Sequence, residues 1–584
     1  MTDLTPSPEG QAEDSGTAGH ERLSRELRDT RMQLALTQAR LNAVEGSASW
    51  RFGRVVANAA KRPWPRGAAL PRDLYRLWRE RGATPTSAQN AAGALASAQL
   101  TDLDGTGARF LSALTSPGAP PLPDLGLVLS GSGAVAAGSA QGPVITGALT
   151  ALTCATLAPD ATVHPLLPHD ADIVVESTGA DLVVVEAAAM LPGNPWAYAT
   201  DPAAADRGRR LARMIVMARS LGIPVILVRN VPQSRMPGLS WLVPTVDTVL
   251  DTDFGTQLAR FNPVGVTPDR PADPVYAGDR DPREAPGVRA LLDAVTGSGP
   301  DAEAAVTLAG GRSWRALPEL YRSRAVFVSA SEAQGREQRA SGARVVGLAA
   351  RAGEHRRDAD AVRSQLASAV AAGPLPTAEI RAGLRDIFSA HSTPVRVREL
   401  IRAAGLPASA YGGRQVAVVA SAADADAAGR LGAALKRQRL RPSEVIVSAV
   451  PGSAAAAARE ALSGLADKGT RILVVDPVPG PEASGGLEWA RPMVRHADAG
   501  WVAPWPSAGA DPAELPDTYL LDLACARECS QADAVGVTSS DAADYAFTTA
   551  LETPALVRRD LLAPGSPSAD RWGAHGLRLF TVRS

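Results

Sequence analysis

The sequence predicts an α/β protein in which several doubly wound units, each with a mainly parallel sheet, follow one another along the chain. Near-continuous apolar runs occur at 182–185 and Val225–Val228, and such runs are typical of strands buried on both faces of a sheet. Helical stretches such as 207–221 alternate with these runs, as they do in βαβ units. The same texture returns after residues 263 and 415, and a chain of 584 residues has room for about three to four domains.

Each unit is defined by its predicted elements. Residues 123–262 form the first half, with strands at 125–129, 171–175, 182–185 and 225–228 and a helix at 207–221. Residues 263–410 form the second half, with strands at 275–278, 305–308, 325–329 and 344–347, a helix at 287–296 and a helical tail at 377–404. Residues 411–584 form a third unit, with strands at 416–420, 444–450 and 471–475 and helices at 429–438 and 454–466. Ligands of such sheets bind at the carboxyl ends of the strands.

The first 122 residues lack the alternation of apolar runs and helical stretches that defines the three units. Residues 1–19 are predicted to be a disordered tail, and 20–46 a helix with a short heptad pattern, which indicates either a homodimeric coiled coil or one helix docked on its own protein. Residues 47–82 are basic and aromatic, and between Trp50 and Gly82 nine basic and two acidic residues give a local net charge of +7. This segment suits either an anionic membrane surface or packing on a neighbouring domain. Residues 83–122 are predicted to be a linker.

Composition excludes several classes of protein. The net charge of −1 argues against a nucleic-acid-binding protein as a whole. Three cysteines, Cys154, Cys525 and Cys529, do not support a disulfide framework, and the last two are interpreted as small apolar residues of one helix. The sequence shows no signal-peptide pattern and no apolar run of membrane-spanning length, so the chain is expected in the cytoplasm, with peripheral contact at the inner face of the membrane as an option.

Several segments between residues 170 and 405 resemble a known family. The strand at 181–186 is followed by Asn194-Pro195-Trp196 and, after a helix, by Asn230. Later come Pro274-Val-Tyr-Ala-Gly278, the segment 320–329, the segment 337–346 and His391-Ser-Thr-Pro-Val-Arg396. In this order they resemble the spore-maturation (CgeB-type) glycosyltransferase-like family. The chain departs from that family after Asn230, where the family's Lys-Glu-Asp is missing, and at 331–335, where the family's loop toward the donor is longer.

The resemblance implies a GT-B fold, in which a nucleotide-sugar is bound between the two doubly wound halves. It implies four donor-binding residues: Glu337 on the ribose hydroxyls, Arg336 on the diphosphate, Gly278 where the backbone approaches the donor, and Gly342. It implies that four residues face the acceptor: Glu186, Asn194, Trp196 and Asn230. No catalytic residue is assigned, and neither a metal nor another cofactor is expected. A second interpretation stays open, in which Glu337 is a solvated helix acid and Gly342 a helix C-cap.

The third unit resembles a family 2, GT-A-type nucleotide-sugar domain. Residues 441–448 stand where that family has the segment xPxEVIVVDDGS, and the segments 519–523 and 532–536 fit its continuation. A GT-A enzyme needs carboxylates for a divalent cation. They are expected at Ser448 or Ala449 and again after 501–503, and both are absent. The third unit is therefore interpreted as a degenerate, non-catalytic domain. Ser49-Trp50-Arg51 also resembles an element found beside bacterial surface-sugar glycosyltransferases.

Two functions follow from these patterns. In the first, the GT-B pair transfers a sugar from a nucleotide-sugar to a cell-surface glycan or its lipid-linked precursor. In the second, the protein is a non-catalytic scaffold or binding subunit of a surface-glycan assembly. The second is favoured by the missing acids of the third unit, and the first by Glu337 and the intact second half.

Overall fold

The computed structural model describes residues 142–231, 237–278, 288–296, 306–309, 314–348, 359–407, 411, 413–478, 487–505, 515–538 and 544–583. All of them belong to one compact unit, Val128–Ser584. The disordered tail, the coiled-coil helix, the basic aromatic segment, the linker and the strand at 125–129 were predicted for residues that lie outside this description. The described residues form three sheets, each covered by helices, in a mixed α/β architecture.

The first sheet is five-stranded and parallel, with the order β2-β1-β3-β4-β5. Its strands are β1 (Val144–Ala148), β2 (Thr162–Pro165), β3 (Leu182–Glu186), β4 (Val225–Val228) and β5 (Thr248–Leu250). Its helices are α1 (Ala151–Leu157), α2 (Ala171–Thr178) and α3 (Ala205–Ser220). In this order the direction in which successive strands are added reverses between β1 and β3, and doubly wound sheets bind their ligands at this reversal point.

The strand predicted at 171–175 is wrong, because these residues begin helix α2. Ala171 and Val175 are both buried and lie four residues apart, so one turn of helix places them on the same face. Gly179 then ends the helix in the left-handed conformation at φ 63°. A short apolar run cannot by itself be assigned to a strand or a helix.

The second sheet is four-stranded and parallel, with the order β7-β6-β8-β9. Its strands are β6 (Val275–Tyr276), β7 (Thr307–Leu308), β8 (Val326–Ser329) and β9 (Arg344–Gly347). Its helices are α4 (Val288–Thr296), α5 (Leu317–Ser323), α6 (Glu332–Ala340), α7 (Ala359–Ala372), α8 (Thr377–Asp386) and α9 (Thr393–Ala403). A π-helical turn, Ile387–His391, separates α8 from α9. Helix α9 returns to the first sheet, because its Val397, Leu400 and Ile401 belong to the core around Ile145 and Val184.

The third sheet has eight strands in the order β12-β11-β10-β13-β16-β14-β17-β15. Its strands are β10 (Val416–Ala422), β11 (Glu444–Ala449), β12 (Arg471–Val475), β13 (Trp501–Trp505), β14 (Ala534–Thr538), β15 (Ala546–Thr548), β16 (Thr553–Arg558) and β17 (Leu579–Arg583). β10 to β13 pair in parallel, whereas β16 is antiparallel to both β13 and β14. Its helices are α10 (Ala425–Arg437), α11 (Ser453–Ala466), α12 (Arg491–Val494) and α13 (Tyr519–Ser530).

Helix α13 joins the third sheet to the second. Leu521, Ala524, Cys525 and Cys529 of this helix are buried in one apolar cluster with Tyr321 and Phe327 of the second sheet's layer. Burial raises the pKa of both thiols well above the ordinary value, so the two cysteines serve as small apolar core residues. The two sheets therefore share a core instead of meeting at a solvated boundary.

A buried ion pair lies at the same junction. Arg414 donates to both carboxylate oxygens of Glu528, at 2.8 and 2.7 Å, and both side chains are almost fully buried. The same guanidinium also donates to the backbone oxygen of Phe388 and lies 3.6 Å from the centre of the Phe388 ring. Nearby, Tyr411 donates to Asp160 of the first sheet's layer at 2.7 Å. Residues associated with all three sheets are therefore tied together by polar contacts as well as by apolar packing.

Candidate functional site

Glu186 ends β3, beside the reversal point of the first sheet, and both oxygens of its carboxylate accept hydrogen bonds. It accepts hydrogen bonds from the Thr150 N–H at 2.7 Å, the Thr153 hydroxyl at 2.8 Å and the Asn230 amide at 2.9 Å. Burial raises the pKa of Glu186, and these donors oppose the rise by stabilising the charged form. The place where a doubly wound sheet usually receives an anionic ligand thus holds a carboxylate of the chain itself.

The other three residues assigned to the acceptor side stabilise this edge of the sheet. Asn230 accepts from the Ala188 N–H at 3.1 Å, and Asn194 donates to the backbone oxygen of Ala188 at the same distance. Trp196 is fully buried, and its indole N–H donates to the Leu166 oxygen at 2.7 Å. The geometry gives all four residues internal partners, and Trp196 is a core residue.

A second group of charged residues lies where the first half meets helices α6 and α9. Asp253 follows β5, and its carboxylate forms an ion pair with Arg336 of α6. The guanidinium of Arg396, on α9, lies 3.6 Å from the other oxygen of Asp253, which also accepts from the Gly255 N–H at 2.8 Å. We call Asp253, Arg336 and Arg396 the Asp253 cluster.

The backbone holds Asp253 firmly beside α9. Gly255 has a φ of +74°, and a Cβ atom at this position would lie 2.6 Å from the backbone carbon of Ser392. The Thr256 N–H donates to the His391 oxygen at 2.8 Å, and the Thr393 N–H donates back to the Thr256 oxygen at 3.2 Å. Only glycine fits this close approach, so the segment carrying Asp253 is locked onto the start of α9.

Glu337 is adjacent to the Asp253 cluster on helix α6. Protein surrounds its carboxyl deeply enough to raise the pKa to about 8, although part of the side chain remains accessible to solvent. The nearby charges of Arg260 and Arg336 oppose this rise, and that of Asp253 adds to it. Within the described part of the chain the Glu337 carboxyl has no hydrogen-bond or ion-pair partner. A deep, accessible and unpaired carboxyl with a strongly shifted pKa is typical of a ligand-binding position.

Arg260 lies in the segment that follows β5, near enough to Glu337 for its charge to lower the pKa of that carboxyl. Its guanidinium lies 4.2 Å from the centre of the Trp314 ring and donates to the Trp314 backbone oxygen at 2.6 Å. Trp314 therefore fixes the arginine by a cation–π contact and a hydrogen bond, while neither contact neutralises its charge. Glu337 and Arg260 thus place an acceptor and a cation near each other, next to the Asp253 cluster.

The two predicted donor-site glycines have local structural roles. Gly342 ends α6 at φ +80°, and the Ala343 N–H donates to the Gln338 oxygen at 3.1 Å, which is the pattern of a helix C-cap. At Gly278, after β6, an added Cβ atom would lie 2.5 Å from the Tyr276 hydroxyl oxygen. A role for either glycine in donor binding stays a prediction.

The third sheet holds other groups where its resemblance calls for metal ligands. The Ser448 hydroxyl accepts from the Val478 N–H at 2.9 Å, and Trp505 is fully buried against the Tyr519 ring. The described residues include no group of three or more His, Cys, Asp or Glu side chains that could hold a metal ion. A groove of about 580 Å³ lies elsewhere, between β9 and α7, and its lining includes neither Glu337 nor the Asp253 cluster.

The sequence predicts Glu337 and Arg336 as candidate site residues, but neither Asp253 nor Arg260. Arg396 appears among those predictions only as part of a motif, without a role. Asp253 is one acid in a loop, and its pairing with Arg336 joins residues 83 positions apart. The available signal was the run of polar and glycine residues directly after a strand, where ligand-binding residues of parallel sheets are found.

Comparisons with known proteins leave the family open. No protein-family model matches the chain, and no curated protein matches it. Among solved structures, S. aureus TarS 1-349 is 12% identical to the chain, and the match covers 29% of this chain and 58% of that one. The TM-score is 0.21, and at this value the similarity carries no argument about fold or function. No helix among the described residues is both long and apolar enough to cross a membrane.

Proposed function

We propose that the protein is a glycosyltransferase-like protein that binds a nucleotide-sugar between its first two sheets and transfers the sugar to a cell-surface glycan or a lipid-linked precursor. The observation that carries the proposal is the Glu337 carboxyl, which is deep, accessible and unpaired beside Arg260. A carboxyl can hold the two hydroxyls of a ribose, and Arg336, next to it on α6, can offset the charge of the diphosphate. The proposal that a sugar is transferred rests on the resemblance of the segments between residues 170 and 405 to the glycosyltransferase-like family.

In this proposal the third sheet has a structural role, because it supports the second sheet. Ser448 is committed to a backbone N–H, and Trp505 fills the core, so neither position offers a carboxylate to a cation. Helix α13 shares its core with the second sheet instead. We also propose, from the sequence alone, that residues 20–46 pair two chains and that residues 50–82 contact an anionic membrane surface.

The test is a calorimetric titration of the full chain with UDP-, GDP- and dTDP-sugars, with and without Mn²⁺. A nucleotide present at 100 times its Kd should stabilise the folded protein by about 2.7 kcal/mol, which a melting curve detects. Binding should be independent of metal, and Glu337→Gln should weaken it. Glu460→Gln is the matched control, because Glu460 is an exposed helix acid on α11 and should bind as the native chain does.

The scaffold remains the second candidate function, and the saturated Glu186 site favours it. At the reversal point of the first sheet, the Thr150 N–H, the Thr153 hydroxyl and the Asn230 amide already donate to the chain's own carboxylate. A failure of every nucleotide-sugar to bind at millimolar concentration would reject the transferase and leave the scaffold. Binding without any transfer or hydrolysis of the sugar would indicate a binding subunit.

A further inference from the structure

The Asp253 cluster contains more hydrogen-bond donors than acceptors. One oxygen of Asp253 is used by Arg336, and the other by the Gly255 N–H. The Nε atom of Arg336 and the fully buried Thr393 hydroxyl form no hydrogen bond with any described residue. The Nε atom of Arg396 reaches only the oxygen of Asp253 that Gly255 already uses, at 3.6 Å, which is too long for a hydrogen bond. Buried polar groups are almost always satisfied, so this surplus of donors indicates that an acceptor with more oxygen atoms fits the position.

The other charges around the cluster do not remove this surplus. Arg396 also pairs with Glu399 at 3.0 Å, and Arg336 lies 4.0 Å from Glu332, which is largely exposed. The Nδ1 atom of His391, on the turn that packs against Gly255 and Thr256, has no hydrogen-bond partner among the residues described. The side chain of Arg336 is only 8% exposed, so solvent can do little to satisfy its hydrogen-bond donors or to screen its charge.

We propose that Arg336 and Arg396 form a diphosphate-binding pair, and that Asp253 occupies this pair in the ligand-free protein as an internal counter-ion. A diphosphate would take the place of the Asp253 carboxylate, as arginine pairs both ligands through charge-assisted hydrogen bonds. Because Asp253 belongs to the first half, Arg336 to α6 and Arg396 to α9, the exchange would release one contact between the halves when ligand arrives. This inference deepens the proposed function and rests on it for the identity of the natural ligand.

The probe is inorganic pyrophosphate, titrated into the full chain by calorimetry at matched ionic strength. Asp253→Asn keeps the shape of the side chain and removes its charge, so both arginines lose their competitor. We expect pyrophosphate to bind about tenfold more tightly to this variant than to the native chain.

Asp251→Asn is the matched control. Asp251 lies two residues away, is exposed, and pairs with Arg229 at 2.6 Å, so the substitution makes the same change in charge outside the cluster. The same gain in both variants, or no gain in Asp253→Asn, would overturn the proposal. Should Asp253→Asn fail to fold, Arg396→Gln decides, because the proposal requires that this variant bind pyrophosphate at least several-fold more weakly, and unchanged binding would reject it.

The outcome is separable from that of the proposed function. A gain for pyrophosphate in Asp253→Asn, together with no binding of any nucleotide-sugar, would establish the anion pair and reject the transferase. Nucleotide-sugar binding that depends on Glu337 but is unaffected by Asp253→Asn would establish the donor site and reject the exchange.

Discussion

Glu186 and Glu337 are both deep carboxyl groups, but only Glu186 is surrounded by hydrogen-bond donors. Burial raises the pKa of each. At Glu186, one backbone N–H, a threonine hydroxyl and an amide stabilise the charged form. At Glu337 the opposing influence comes only from the charges of Arg260 and Arg336. The ionisation of Glu337 is therefore the one that a change of pH, or a ligand, should alter.

Glu337 should make the native chain less stable as the pH rises. Its pKa in the folded protein is about 8, above the ordinary 4.5, so the folded state binds more protons between these two values. The contribution of protonated Glu337 to the free energy of unfolding is fully present below about pH 4.5, and it is lost as the pH rises through 8. Relative to the native chain, Glu337→Gln should therefore gain on the order of 4 kcal/mol between pH 4.5 and pH 9. Urea unfolding across this range measures the difference, and a constant difference would contradict the assignment.

At the scale of elements, the junction between the first half and α9 depends on one glycine. Gly255 combines a left-handed backbone with a close approach to Ser392, and the bridge between Thr256 and Ser392 follows it directly. This arrangement sets the position of Asp253 against α6 and α9. The charged cluster thus depends on local backbone geometry as much as on the arginines.

Replacing Gly255 with alanine should destabilise the fold by about 2 kcal/mol or more. The new Cβ atom adds the penalty of a left-handed residue to contacts under 3 Å with backbone atoms of residues 391 and 392. Gly429→Ala is the control of opposite sign. Gly429 lies inside helix α10 with nothing within 4 Å of an added Cβ, so alanine should stabilise the protein by about 1 kcal/mol. Equal effects in urea unfolding would refute this account of Gly255.

How far the sequence could predict these elements depended on how each one is buried. β3, β4 and β11 were placed nearly correctly, because continuous Val, Ile and Leu runs are specific for strands buried on both faces. β2 has no such run and is partly exposed, so nothing in it stood out. The site was predictable only as far as Glu337 and Arg336, since the contacts of Asp253 and Arg260 form through the tertiary fold and leave no local pattern.

At the scale of the whole molecule, shared apolar clusters and ion pairs join the three sheets to one another. The first and second are joined by α9 and the Asp253 cluster, and the second and third by α13 and the Arg414–Glu528 pair. Two further ion pairs, Arg385–Asp522 at 2.7 Å and Arg381–Asp544, connect α8 to the third sheet's layer. A single cooperative unfolding transition is expected for the described residues.

Glu528→Gln tests this cooperativity. Removing one charge of a buried, bidentate pair leaves Arg414 uncompensated and should cost about 3–5 kcal/mol. Calorimetry should show the whole unfolding transition move to lower temperature. Asp517→Asn breaks the exposed Arg439–Asp517 pair and should change stability by less than about 1 kcal/mol. A shift of only part of the unfolding enthalpy in Glu528→Gln would show that the sheets unfold separately.

The shared core at α13 has a consequence for how such a chain can evolve. A lineage that no longer used the chemistry of the third sheet could not simply lose its gene segment. The deletion would strip Leu521, Ala524, Cys525 and Cys529 from the second sheet's layer and leave apolar surface in water. A domain can therefore persist whether or not it has an activity of its own, because its neighbour depends on it for folding.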